Sequence, residues 1–206
     1  MVKTLQMKVE NIIFDFGGVL VDWNPRYLYR DYFRSDSEME NFLRTVCTDE
    51  WNIEQDRGRS LAEGTRLLQE KYPEFHSLIQ LYYDKWEVML QGDIPETVSL
   101  LYRLKEKFNI YGLTNWSAET ITIAYKRFPF FGEFKGIVVS GEEKMIKPDK
   151  RLYHLLLDRY KLKAGNTIFI DDNLNNVKAA EELGMNAIHF KSPGQLETEL
   201  QSIGAI

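Results

Sequence analysis

A chain of 206 residues with 44% hydrophobic and 28% charged residues has the balance of a soluble globular protein, and 13% aromatic residues can fill a substantial core. The net charge of −5 comes from interspersed signs, which excludes the basic footprint of a nucleic-acid binder; no apolar run approaches the roughly 20 residues that span a bilayer. The opening "MVKTLQMKVE" lacks the apolar centre of a signal peptide and Cys47 stands alone, so a cytoplasmic setting without membrane or nucleic-acid partners is expected.

The first predicted strand is the apolar run 12–14, which enters Asp15, Gly17 and Gly18 in "NIIFDFGGVLVDW". From about Asn24 to Leu90 the strand rhythm stops. Asp36-Ser37-Glu38-Met39 reads as a helix entry, and Leu78, Tyr82, Trp86 and Met89 form a helical stripe. Asp56-Arg57-Gly58 reads as a turn between two such helices, from which a side chain can reach a crevice, and Gly92-Asp93-Ile94-Pro95 as a turn returning the chain to the core. Residues 23–92 are therefore expected to be an inserted helical cap, with 1–22 and 93–206 as the core; the alternative is extra helices packed on one sheet edge.

Beyond the insertion, Val98, Leu101 and Leu104 recur at helical spacing before a strand at 110–113 that ends in Thr114 and Asn115. A strand at 137–139 precedes Lys147 in "EEKMIKPDK", and Leu152, Leu155, Leu156 and Tyr160 mark the next helix. A strand at 168–170 runs into Asp171 and Asp172. The helix of "NNVKAAEELG" closes at Gly184, and a last strand is expected at 187–190. Strand alternating with helix predicts an α/β fold, a Rossmann-like parallel sheet covered on both faces.

Ligands of open parallel sheets lie outside the carboxyl ends of the strands, and four such ends carry chemistry here. Asp15, Asp171 and Asp172 would gather three carboxylates, whose repulsion a divalent cation relieves; an all-oxygen donor set suits Mg²⁺. Lys147 adds a positive charge, and the Thr114 hydroxyl can donate to phosphate oxygens. The set suits attack by Asp15 at phosphorus followed by hydrolysis of an aspartyl-phosphate. Taken singly each piece has an ordinary reading: Asp before Gly-Gly as a turn former, Asp-Asp as a helix cap, Lys before Pro as a surface residue.

"FDFGGVL", "GLTN", "KPD" and "FIDDNLNNVKAAEELGM", in that order, resemble the haloacid dehalogenase-like (HAD) hydrolase superfamily across nearly the whole chain. They are most similar to the branch with a small helical cap after the first strand, which includes sugar-1-phosphate phosphatases and the phosphatase domain of epoxide hydrolases. The resemblance implies Asp15 as nucleophile, Asp172 as principal metal ligand and Asp171 beside the metal directly or through water. It further implies Thr114 and Asn115 holding the transferred group, Lys147 balancing charge, and Gly17 binding Mg²⁺ through its backbone carbonyl. The expected substrate is a small phosphorylated metabolite.

Gly17 is also the departure. Most phosphatases of the superfamily carry there a second Asp, an acid–base group of a kind typically worth about 10²–10⁴-fold. Either the leaving group is good, as in an anomeric or acyl phosphate, or another residue supplies the proton, Asp22 being one candidate. A 2-haloacid dehalogenase needs no such proton, but the Asp171-Asp172 pair and the absence of a Tyr at position 17 speak against it. A catalytically silent binding protein of the same fold is the third reading. Arg26, Trp51 and Arg57 are the cap residues considered for substrate contact.

Overall fold

The computed structural model describes residues 9–206; residues 1–8, which hold most of the stretch read for a signal peptide and the start of the expected core segment, lie outside the described residues. Among the described residues seven strands form in chain order: β1 (Asn11–Phe14), β2 (Val21–Trp23), β3 (Leu90–Asp93), β4 (Asn109–Thr114), β5 (Gly136–Val139), β6 (Thr167–Asp171) and β7 (Asn186–His189). Five make a parallel sheet in the order β5-β4-β1-β6-β7. The sheet thus grows outward on both sides of β1, which puts the topological switch point, and the crevice it opens, beside β1.

Side-chain alternation along β1 shows why its sequence is apolar throughout. Ile12 and Phe14 face one core with Leu101, Leu104 and Leu196, while Ile13 faces the other with Leu152, Leu156 and Phe169. The expected helices cover these faces as Pro95–Leu104, Lys150–Tyr160 and Leu174–Glu182, the last followed by Gly184. The final strand is displaced by one residue from its expected position, ending at His189.

Between β2 and β3 the chain is helical. Asp36–Thr45, Asp49–Asp56 and Leu61–Lys71 each start at a hydroxyl side chain, of Ser35, Thr48 and Ser60, that accepts a backbone N–H of the first turn. Tyr29, Phe42, Ile79 and Tyr82 pack inside this insertion. The Leu78-to-Met89 stripe is interrupted at Lys85, between helices His76–Asp84 and Trp86–Met89, although Tyr82, Trp86 and Met89 all point inward.

Two strands flanking the insertion were not legible. β2 and β3 pair antiparallel, with Asp22 opposite Gly92 and Val21 opposite Asp93, so the expected turn at Gly92–Pro95 is instead a strand end running into a helix. Pro95 takes the first helical position, where its missing N–H has no intrahelical partner to lose. The ribbon is three to four residues long, too short for alternation to declare itself. It joins the cap to the core at two adjacent strands, and Arg127 of helix Ile121–Arg127 donates to the carbonyls of Leu90 and Gln91 to brace it.

Leu101 is fully buried against the central sheet. Leu101→Ala is expected to lower the unfolding free energy by about 2–5 kcal/mol, read as a shifted urea midpoint at unchanged slope.

Candidate active site

The parallel register fixes which residues meet. Phe14 lies beside Gly112 of β4 and Ile170 of β6, so the next residues along these strands, Asp15, Leu113 and Asp171, emerge together at the carboxyl edge. The Asp15 N–H donates to the Ile170 carbonyl at 2.9 Å, which carries the pairing one residue past the strand.

Lys147 reaches into this edge from the loop after β5, and its ammonium is fully buried. It donates to Asp15 Oδ2 at 2.9 Å, Asp171 Oδ2 at 2.7 Å and the Leu113 carbonyl at 2.9 Å, spending all three hydrogens. Burial works against this charge, but Asp15 and Asp171 outweigh it and hold the lysine above its ordinary pKa. The loop itself is held by Asn115: its Oδ1 accepts from the Lys147 N–H at 2.8 Å and its amide donates to the Lys147 carbonyl at 3.1 Å. Asn115, expected to hold the transferred group, here clamps the lysine.

Carboxylate oxygens of Asp15, Asp171 and Asp172 lie within 4.8 Å of one another. Asp171 is engaged: besides Lys147 it accepts the Asn173 N–H at 2.8 Å and the Asn176 amide at 3.0 Å. Asp172 opens to solvent. Desolvation raises the Asp15 pKa, with Lys147 opposing and the two neighbouring carboxylates adding to the rise. Desolvation and Asp171 raise Asp172 as well. Three carboxylates around one ammonium leave an excess of negative charge, and an oxygen-only donor set of this kind fits a hard divalent cation.

Two further features fit an oxyanion there. The Thr114 hydroxyl, at the end of β4, is buried with no hydrogen-bond partner among the described residues, a cost that a ligand oxygen removes. Gly18 has φ +71, and a Cβ there would come within 2.5 Å of Asp172 Oδ2, so the loop passes close under the carboxylate only as glycine. Gly17 differs: a Cβ on it would meet nothing within 4 Å. It borders a cavity of about 100 Å³ between core and cap, walled by Trp23, Asp56, Tyr83, Trp86, Asn115 and Trp116. The Trp86 and Trp116 rings lie 5.7 Å apart, and Trp116 donates its indole N–H to Thr120 at 3.0 Å.

The haloacid dehalogenase-like hydrolase family matches residues 9–184. The chain belongs to this family. It is 30% identical over 187 residues to a sesquiterpene phosphatase of Aspergillus oryzae, covering 86% of this chain and 88% of that one. Over 70 residues it is 33% identical to mouse bifunctional epoxide hydrolase 2, covering 34% of this chain and 13% of the other. Its fold matches that of a HAD family enzyme from Bacteroides thetaiotaomicron, solved with magnesium and inorganic phosphate. There the TM-score is 0.70 at 22% identity, over 89% of this chain and 94% of that one.

In this HAD-like hydrolase Asp15, Thr114, Lys147, Asp171 and Asp172 meet at one edge, and Gly17 faces the cavity beside them. The cap residues considered from sequence do not reach it. Arg26 pairs with Glu40 on the surface, Arg57 with Glu54, and the Trp51 indole donates to the Gly64 carbonyl while its ring packs on Tyr82. Asp22 accepts from the Tyr27 hydroxyl at 2.8 Å. Sequence reasoning missed Asn176, whose signal was its place on the first turn of the helix following Asp171-Asp172. It also missed Trp23, Trp86 and Trp116, which converge only in three dimensions.

Removing the buried ammonium strands two carboxylates. Lys147→Met, in EDTA, is expected to lower stability by about 3–5 kcal/mol at pH 8, with the loss shrinking toward acid pH as the carboxyls take up protons, measured by denaturant titration at several pH values. Gly18→Ala, strained by its positive φ and by Asp172, is expected to lower stability by about 1–3 kcal/mol. Gly17→Ala is expected to stay within about 1 kcal/mol of the parent in the same denaturant titration.

Proposed function

We propose that the protein is a Mg²⁺-dependent phosphatase of small phosphomonoesters, working through a phosphorylated Asp15. The observation that carries this reading is the carboxylate cluster of Asp15, Asp171 and Asp172 against the buried ammonium of Lys147, beside the unpartnered hydroxyl of Thr114. The match to a sesquiterpene phosphatase supports it, as does the magnesium and phosphate complex of the Bacteroides enzyme.

In this reading Asp172 and Asp15 hold the cation with the Gly17 carbonyl, and Asp171 supports it from its network with Asn173 and Asn176. Mg²⁺ supplies charge for phosphate oxygens and relieves the carboxylate repulsion. Lys147 favours the ionised form of Asp15 against its burial and aims Oδ2, while the Thr114 hydroxyl donates to a non-bridging oxygen as charge develops on it. Asp15 attacks phosphorus, and water then hydrolyses the acyl phosphate. The aromatic wall of the cavity gives the carbon part of the substrate a stacking face, and its modest volume suits a small alcohol, sugar 1-phosphates included. The dehalogenase reading needs no metal and leaves the solvent-open carboxylate of Asp172 without a task, since Asp171 already serves Lys147.

Phosphate release from p-nitrophenyl phosphate is expected to require Mg²⁺, to stop in EDTA, and to fall by about 10³-fold or more in Asp15→Asn. Release that persists in EDTA or in that variant refutes the mechanism. Chloride release from 2-chloropropionate without metal would establish the dehalogenase instead.

A further inference from the structure

The phosphatase reading leaves one step without a residue: Gly17 has no side chain to protonate the leaving group. We propose that the cap supplies it, with Asp56 as the acid–base residue that faces Gly17 across the cavity. The proposal rests on that reading and extends it.

Four observations place Asp56 there. First, Gly17 and Asp56 border the same cavity, and among the described residues Asp56 is the one carboxyl group in its wall. Second, the space a side chain on Gly17 would take is open, so no other atom fills the cavity at that position. Third, Asp56 is held from both sides of the cleft. It ends helix Asp49–Asp56, its carbonyl accepts the Ser140 hydroxyl at 2.6 Å, and its carboxylate is bonded by the Ser117 backbone N–H. Gly58, at φ +104, then turns the chain flush against Gly141, where a Cβ would meet the Gly141 carbonyl at 2.9 Å. Fourth, two other acids that could be considered are occupied elsewhere, Asp22 by Tyr27 and Glu54 by Arg57.

The surroundings leave the carboxyl group free to titrate. Among the described residues no ion pair reaches it, and its own helix offers only the Asn52 amide at 3.4 Å. Tyr82 and Tyr83, on helix His76–Asp84, are phenols that burial pushes up, so both are neutral. Arg57 turns to Glu54, Arg59 to Gln55 and the Trp51 carbonyl, and Lys144 packs its stem on Gly58. Burial therefore raises the Asp56 pKa from 3.8 to about 7, against the Ser117 N–H. A group titrating near neutrality can both give and take a proton there.

The chemistry balances. As Asp15 Oδ forms its bond to phosphorus, the bond from phosphorus to the leaving oxygen breaks. That oxygen keeps the electron pair and takes the proton of Asp56, and the alcohol departs. Asp56, now a carboxylate, takes a proton from water while the water oxygen bonds to phosphorus. The acyl-phosphate P–O bond breaks toward Asp15, so inorganic phosphate leaves with both carboxyl groups restored.

The test compares leaving groups. In the full-length protein with Mg²⁺, Asp56→Asn is expected to lower kcat/KM for an alkyl phosphate about 100-fold or more. The loss with p-nitrophenyl phosphate, whose phenolate leaves unaided, should be less than about tenfold. Asp56→Glu should restore part of the alkyl phosphate rate. The alkyl phosphate kcat/KM of the parent should fall as pH rises past about 7, and this limb should vanish in Asp56→Asn. Folding is checked independently. The folded state holds the Asp56 proton more tightly than the unfolded chain, so ionisation costs stability as pH rises from about 4 to about 7. Asp56→Asn should accordingly melt no lower than the parent at pH 8.

Equal losses on both substrates, or no selective loss on the alkyl phosphate, overturn the proposal while leaving the phosphatase reading intact. A parent protein without Mg²⁺-dependent phosphate release overturns both. A variant that melts well below the parent at pH 8 contradicts the burial argument and overturns it too.

Discussion

The ammonium of Lys147 is the constraint on which the site depends. A fully buried lysine is tolerated only because two carboxylates and a carbonyl take its three hydrogens, and two buried carboxylates are tolerated only because the lysine lies between them. Neither half can be altered alone. This mutual need ties the loop after β5 to the ends of β1, β4 and β6. Asn115 and Asn176 extend the network outward, one holding the lysine's backbone and the other its partner Asp171.

The remainder of the site is built from two parts with different physics. The core contributes charge and backbone donors at the strand ends. The cap contributes Tyr83 and Trp86 to a largely aromatic cavity wall that Trp116 of the core completes. The β2–β3 ribbon joins the two parts, and the contact of Ser140 with the Asp56 carbonyl sets the cap turn on the core. Leu61 adds a second contact, its N–H donating to Glu119 at 2.9 Å. Gly17 stands at the seam between them, on the cavity that Asp56 of the cap also lines.

Much of the fold was legible because buried parallel strands and amphipathic helices have distinct periods. All five strands of the sheet were expected from short β-branched or aromatic runs, and the covering helices Pro95–Leu104, Lys150–Tyr160 and Leu174–Glu182 from spacings such as Val98, Leu101 and Leu104; helix Pro193–Ser202, whose Leu196 and Leu200 pack on the same core, was not. The ribbon was not, because three or four residues cannot display an alternation. The clustering of Asp15, Lys147, Asp171 and Asp172 was legible as residue types at successive strand ends. Its internal assignments were not: nothing in "GLTN" says that the Asn115 amide turns back to the lysine's peptide while the Thr114 hydroxyl is left without a partner.

The sequence by itself determined the α/β class, the helical insertion, and which carboxylates stand at the ends of which strands, because these follow from local periodicity and from chain order. It also determined that position 17 has no side chain. Tertiary structure alone decided what stands opposite that gap. Asp56 is about forty residues away from Gly17 along the chain; "DRG" marks a turn from which a side chain can reach the crevice without saying which one, and only the folded contact between cap and core half-buries this carboxyl group on the cavity that Gly17 borders and so pushes its pKa up to about 7.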